Sequence, residues 1–325
     1  MIAYPIKFNP ILQEKIWGGT KLKTYLSKLS NKDNIGESWE ISAVKNNVSV
    51  VRNGVYTGLS LKDLIKKFKG DLVGKSIFNK FGIDFPLLIK FIDAKEALSI
   101  QLHPNDALAK KRHNSFGKTE MWYVMQADKD ANLILGFKKD CDKQTYLKYL
   151  EAHRLIDLLN FEKVKKGDVF FIPTGRIHAI GAGVLLAEIQ QTSDITYRIY
   201  DWDRVDAQGN GRELHTDLAL AAIDYKASKN YKTDYPSVLN KTNKVISCPY
   251  FTTNIIPIKG KITKDYSHLD SFIIYMCTAG SLIINYADNK KEYLNMGETV
   301  LIPNCLNRLI LTASNNANLL EVFLQ

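Results

Sequence analysis

The chain has 325 residues, 45% of them hydrophobic and 24% charged, and carries a formal net charge of +10. Those values exclude a disordered chain and leave room for two domains with a sizeable core. The lysines are spread along the chain and no helix-turn-helix, zinc-finger or ribonucleoprotein motif occurs, so the charge reads as solvated surface that attracts small anions, with no nucleic-acid partner.

In chain order, short apolar runs broken by Gly, Asn and Asp fill the chain to about residue 58, as over residues 36–42 and 48–52, and predict short strands. Leu59, Leu61, Leu64, Ile65 and Phe68 stand at helical spacing and open a helical insertion reaching to about residue 80. Residues 85–92 and 97–103 are β-rich runs, and 119–126 and 131–137 read as a further strand pair. Residues 142–159 carry Tyr146, Leu147, Leu150, Leu155, Leu158 and Leu159 on one helical face, a second insertion (about 142–160). Strands return over 169–200, residues 214–225 make a short helix, and after Pro236 strands dominate to the end. The pattern is mainly β, a sandwich or barrel with short helical insertions.

An internal repeat sharpens this. Gly167, Asp168, Ile172 and Pro173 recur in the same frame as Gly297, Glu298, Ile302 and Pro303: a turn glycine, an apolar strand and a terminating proline. Two related jelly rolls follow, a first at 1–235 and a second at 236–325. Five residues beyond the proline stands His178 in the first copy and Arg308 in the second, so only the first keeps a metal-capable side chain there. The four cysteines (Cys141, Cys248, Cys277, Cys305) form no CxxC pair, which predicts a reducing compartment. The first residues lack a signal-peptide pattern and no apolar run has bilayer-spanning length. A cytoplasmic protein without a membrane partner is the expectation.

Gln101 and His103 are two apart in a strand and project from one face. Glu120 lies in the next apolar run and His178 follows the first repeat strand. Two imidazoles, a carboxylate and an amide oxygen suit Zn²⁺, with Fe²⁺, Ni²⁺ or Mn²⁺ also accommodated. An amide ligand leaves more net positive charge than a second carboxylate, which favours Lewis-acid work on an oxygen. His113, His153, His215 and His268 have no comparable partners and read as structural or surface residues.

The runs Leu98-Ser-Ile-Gln-Leu-His-Pro-Asn-Asp106, Gly117-Lys-Thr-Glu-Met-Trp-Tyr123, Ile172-Pro-Thr-Gly-Arg-Ile-His-Ala-Ile-Gly181 and Glu188-Ile-Gln-Gln-Thr-Ser-Asp-Ile-Thr-Tyr-Arg-Ile-Tyr-Asp-Trp-Asp-Arg204 resemble the type I phosphomannose isomerases, in its short bacterial form. The resemblance runs in order from about Ile16 to His215 and loosely beyond. It implies two cupin-type jelly-roll domains, the second degenerate and without metal ligands. It also implies one Zn²⁺ per chain on Gln101, His103, Glu120 and His178, a catalytic arginine at Arg198, and interconversion of mannose 6-phosphate and fructose 6-phosphate. Two beyond the metal histidine, where long members carry tyrosine, this chain has Ile180.

Aldose–ketose isomerisation through an enediol needs a base near C1 and C2 and positive groups at the developing oxyanion. Alternation puts Asp194, Thr196, Arg198 and Tyr200 on one strand face, so Arg198 either stabilises an enediolate, grips phosphate, or pairs structurally with an aspartate. Lys118, two before Glu120, shares the metal-facing side if the strand already begins there. Lys90 interrupts the apolar run at 87–92. In a pocket, burial and a metal's charge would push its pKa down. The resemblance places both lysines near substrate, as base or phosphate ligand; Glu188 and Asp194 are the acidic candidates. Trp17, Trp39, Trp122 and Trp202 read as core or pocket wall. Two rival functions remain: an Fe²⁺ oxygenase using His103, Glu120 and His178 as a facial triad, and a non-catalytic sugar-phosphate-binding cupin.

Overall fold

The computed structural model describes residues 4–205, 208–287 and 290–324. The first half contains β1 (Ile11–Gly19), α1 (Lys21–Thr24), β2 (Ile35–Ile41), β3 (Ala43–Val44), β4 (Asn47–Val48), α2 (Leu61–Phe68), α3 (Gly70–Val73) and α4 (Lys75–Phe81). There follow β5 (Leu87–Ala94), β6 (Ile100–Leu102), α5 (Asp106–His113), β7 (Glu120–Ala127), β8 (Asn132–Phe137), α6 (Lys143–Glu151) and β9 (Leu159–Lys163). Then come β10 (Val169–Ile172), β11 (His178–Ile180), β12 (Val184–Gln191), β13 (Tyr197–Tyr200) and α7 (Thr216–Leu220). The remainder is β14 (Asn243–Ser247), β15 (Thr252–Asp265), β16 (Ile273–Ala279), β17 (Ser281–Tyr286), β18 (Lys290–Asn295), β19 (Thr299–Ile302) and β20 (Arg308–Phe323).

The mainly β architecture is as the sequence predicts. A six-stranded sheet (β1-β2-β5-β12-β7-β10) faces a five-stranded one (β13-β6-β11-β8-β9), and a third sheet carries β14-β15-β20-β16-β19 with the β17–β18 hairpin. Alternation decides what each face of the large sheet meets. Leu87, Ile89 and Phe91 of β5, Leu185, Ala187 and Ile189 of β12, and Met121, Tyr123 and Met125 of β7 point away from the cavity. They form one buried core with Ile274, Met276, Leu320 and Val322 of the third sheet. The intervening residues of the same strands, Lys90, Glu188 and Trp122, face the cavity instead. Both faces of β5 and β12 are therefore covered, which is why their sequences read as nearly continuous apolar runs.

The repeat is structural. Gly167 and Gly297 both take a left-handed turn (φ 91° and 84°), a conformation that costs glycine little. β10 then pairs with β7 as β19 pairs with β16. The equivalence extends across the sheets. Glu188 stands between Lys90 and Trp122, and Glu321 between Asn254 and Tyr275. Arg308, in the place of His178, is exposed beside Asp265.

Several local expectations change. The helix predicted from Leu59 begins at Leu61, because Ser60 caps it through the Asp63 amide. The insertion at 142–160 is helical only over α6. His153 has φ +56° and ends the continuous pattern, a 3-10 turn covers Leu155–Leu158, and Leu159 opens β9. The runs at 119–126 and 131–137 are strands but do not pair with each other: β7 lies in the six-stranded sheet and β8 in the five-stranded one. Helix α5 was not expected, since its run 106–113 carries hardly any apolar stripe and buries only Ala109. No helix among the described residues is long and apolar enough to cross a membrane.

Candidate active site

The four ligand candidates arrive from both sheets. Across the five-stranded sheet, Gln101 pairs directly with His178 on one side and Arg198 on the other, so one row presents Arg198, Gln101 and His178. His103 follows the end of β6, and Glu120 opens β7 in the facing sheet. One ligand atom from each of His103, Glu120 and His178 lies within 4.8 Å of the others, and all three residues are buried. His103 Nε2 stands 3.3 Å from Glu120 Oε1 and His178 Nε2 3.8 Å from Glu120 Oε2.

The imidazoles are oriented from behind. His103 Nδ1–H donates to the Ile195 carbonyl at 2.8 Å and His178 Nδ1–H to the Arg176 carbonyl at 2.9 Å. Each Nε2 is thereby left with its lone pair facing Glu120. His103 Nε2 and both Glu120 oxygens are buried without a hydrogen bond, the Lys118 ammonium beside Oε1 being their nearby positive charge, and a divalent cation would satisfy all three atoms. Burial, reinforced by Lys118 and opposed by Glu120, holds His103 down at about 3. Burial also lowers His178, against Glu120. Burial alone would raise Glu120, but Lys118 and the two histidines bring it well below the usual carboxylate range. Two neutral imidazoles and an ionised carboxylate are the protonation states a metal requires. Gln101 Nε2 lies 3.5 Å from His178 Nε2. A half-turn of the amide would bring its oxygen to that side in place of the nitrogen.

A cavity of about 330 Å³ opens beside this cluster between the two sheets. Its large-sheet wall is the row Trp39, Lys90, Glu188 and Trp122. Lys90 Nζ is 3.0 Å from Glu188 Oε1 and lies over the Trp39 ring, and Trp122 Nε1–H donates to Glu188 Oε2 at 2.8 Å. Burial works to lower Lys90, but Glu188, Glu37 and Glu120 outweigh it and the net direction is up. The expectation that burial depresses Lys90 is thus corrected: three carboxylates, all distant in sequence, outweigh it and favour the protonated form. Glu188 is raised by burial and by Glu120, against Lys90 and Lys118.

Lys118 reaches the cavity although β7 begins only at Glu120; its Nζ is 2.9 Å from Glu120 Oε1. Arg198 is half-buried and donates from Nη1 to the Glu213 carbonyl at 2.8 Å, while its Nε has no partner. Its backbone N–H donates to His215 Nδ1, so His215 is structural, as expected. Asp194 and Thr196 line the mouth with Arg198, Asp194 being exposed. Tyr200 leaves that face because a register shift falls between Arg198 and Tyr200. Trp17, Trp39 and Trp122 are cavity wall, whereas Trp202 packs on the far side of the five-stranded sheet. Ile180 completes the wall.

Sequence reasoning missed Lys15, Glu37 and Arg212. Glu37 accepts from Trp39 Nε1 at 2.6 Å and lies 3.7 Å from Lys15. Arg212 is held by a fork to Asp201. Alternation in β2 pairs Glu37 with Trp39 on one face, a signal the sequence carried. The loop bearing Arg212 carried none.

A family model described as phosphomannose isomerase type I, catalytic domain, matches residues 6–132. The chain is 38% identical over 256 residues to mannose-6-phosphate isomerase ManA of Bacillus subtilis, covering 78% of this chain and 79% of that one. It is 34% identical over 306 residues to the mannose-6-phosphate isomerase of Streptococcus mutans, covering 94% of each. The crystal structure of the mannose 6-phosphate isomerase from Bacillus subtilis superposes with TM-score 0.88 at 32% identity, over 98% of this chain and 99% of that one.

Proposed function

The chain belongs to the type I phosphomannose isomerase family and interconverts mannose 6-phosphate and fructose 6-phosphate; we propose that it does so through an enediol, at one zinc ion held by Gln101, His103, Glu120 and His178. The observation that carries this reading is the convergence of buried ligand atoms on His103, Glu120 and His178 within 4.8 Å of one another, beside a cavity walled by Lys90, Lys118 and Arg198. Family membership sets aside the iron-oxygenase and binding-protein readings. The free cysteines accord with a reducing cytoplasm.

Zinc, when bound there, supplies a Lewis-acid charge toward a substrate oxygen and fixes the ligands. The chain's own residues do the rest. Lys90, held protonated by its carboxylates, is a fixed hydrogen-bond donor rather than a base. Arg198 presents an always-charged guanidinium from the opposite wall, suited to phosphate or to charge developing on O1 and O2. Proton carriage between C1 and C2 falls to Lys118 or Glu188, two titratable groups that line the cavity close to the ligand cluster. Asp194, at the mouth, is placed to meet the substrate's hydroxyl groups.

The test is a coupled isomerase assay on mannose 6-phosphate with untreated, chelator-stripped and zinc-restored protein. Activity should vanish with the metal and return with Zn²⁺. Full turnover in protein shown to be metal-free by elemental analysis would overturn the zinc reading.

A further inference from the structure

Lys118 enters the cavity from a stretch without a strand ladder: residues 116–119 lie between α5 and the start of β7. Both of its neighbours are held by side chains, and the Thr119 carbonyl also accepts from the Gln191 backbone N–H at 3.2 Å. The Gly117 amide donates to Asp106 Oδ1 at 2.8 Å, and the Thr119 amide donates to Gln191 Oε1 at 2.9 Å. Gln191 Nε2 donates in turn to Asp106 Oδ1 at 3.1 Å, closing the bracket around Lys118. The remaining oxygen, Asp106 Oδ2, accepts from the hydroxyl of Tyr250 at 2.7 Å. Tyr250 lies between β14 and β15, so the bracket is anchored in the half of the chain that carries no metal ligand. Gly117 permits the close approach, since a Cβ there would sit 2.7 Å from the Asp106 nitrogen.

We propose that Asp106, Gln191 and Tyr250 are positioning residues that hold Lys118 at its working place, so that the second jelly roll contributes to catalysis through one hydroxyl. This rests on the reading of Lys118 as part of the active site. Glu120 is gripped by the β7 ladder to β10 and β12 and depends on the bracket less. Asp106 carries hydrogen bonds from three separate segments, more than the first turn of α5 alone requires.

The experiment compares Asp106→Ala, Asp106→Asn and Tyr250→Phe as zinc-loaded full-length proteins, each alone and combined with Lys118→Ala. Displacement of a reacting group by a fraction of an ångström predicts a loss in kcat/KM of about tenfold for Asp106→Ala and roughly threefold for Tyr250→Phe, with zinc content unchanged. Asp106→Asn, whose amide oxygen still accepts from Gly117 and Gln191, should restore activity to within about threefold of wild type. In the Lys118→Ala background, Asp106→Ala should change the rate by less than about twofold, because its effect acts through the missing lysine. Wild-type kcat/KM in both Asp106→Ala and Tyr250→Phe would overturn the proposal. So would a loss of equal factor with and without Lys118, which is the mark of a purely structural role. Should Asp106→Ala fail to fold, Tyr250→Phe carries the same comparison. Wild-type activity in Lys118→Ala would instead remove the reading on which the proposal rests.

Discussion

Replacing Lys90 by methionine keeps the length of the side chain and deletes its charge. The ammonium is buried 3.0 Å from Glu188, and both side chains are less than a tenth exposed. Breaking a buried pair of this kind costs about 3–5 kcal/mol, because the surviving carboxylate is left without compensation. Glu188 has an escape, however, which is to take up a proton. From the ordinary glutamate value of 4.5 that escape costs about 1.36 kcal/mol per pH unit, which caps the penalty near 3.4 kcal/mol at pH 7 and near 1.4 kcal/mol at pH 5.5. The sign follows from proton counting. In Lys90→Met the folded state holds a proton on Glu188 that the unfolded state has lost, so stability falls as pH rises above about 4.5. The assay is the denaturant midpoint of metal-loaded wild type and variant at pH 5.5 and 7.0, with Lys90→Met/Glu188→Gln alongside. The double variant carries no stranded charge and should be more stable than the single one at pH 7. A penalty independent of pH, or a double variant no more stable than Lys90→Met, would refute the argument that Lys90 is there to balance Glu188.

Arg198→Lys keeps the charge but loses the fork. It should lower kcat/KM by about a hundredfold, the range for removing one preorganised donor at a developing oxyanion, while melting stays within roughly 2 °C of wild type. Kinetics within a factor of two of wild type would show that the guanidinium does not touch the reacting or phosphate oxygens. In metal-free protein, His103 is held neutral down to about 3 whereas the unfolded residue titrates near 6.5, so its stabilising contribution is present above 6.5 and lost as pH falls toward 3. By pH 5 that loss is about 2 kcal/mol relative to pH 7, and His103→Gln should lack it. Identical pH dependence of stability in the two metal-free proteins would contradict a buried neutral imidazole.

Much of the site was legible along the chain because each part of it is local. Gln101 and His103 declare a shared face by their spacing, Pro104 marks the end of their strand, and the repeated glycine-to-proline strand locates His178. Asp194, Thr196 and Arg198 follow from alternation alone. Tyr200 does not, because a register irregularity in the pairing with β6 breaks the alternation just beyond Arg198. Similarly, the apolar spacing of 142–159 runs through a residue with positive φ and into a strand, and periodicity carries no mark of either.

The sequence by itself determined which side chains can ligate a metal, which strand faces are apolar and that the chain is mainly β with a repeated glycine-to-proline strand, since these depend on residue type and the two-residue period of a strand. Only the tertiary structure decided which strands become neighbours. That choice sends β7 and β8 to different sheets, sets Gln101 between His178 and Arg198, and ties Tyr250 to Asp106 across 144 positions of sequence. It also reversed the expectation for Lys90. Burial can be guessed from an apolar run, but a pKa sums every charge within reach, and Glu37, Glu120 and Glu188 come within reach only when the sheets are assembled.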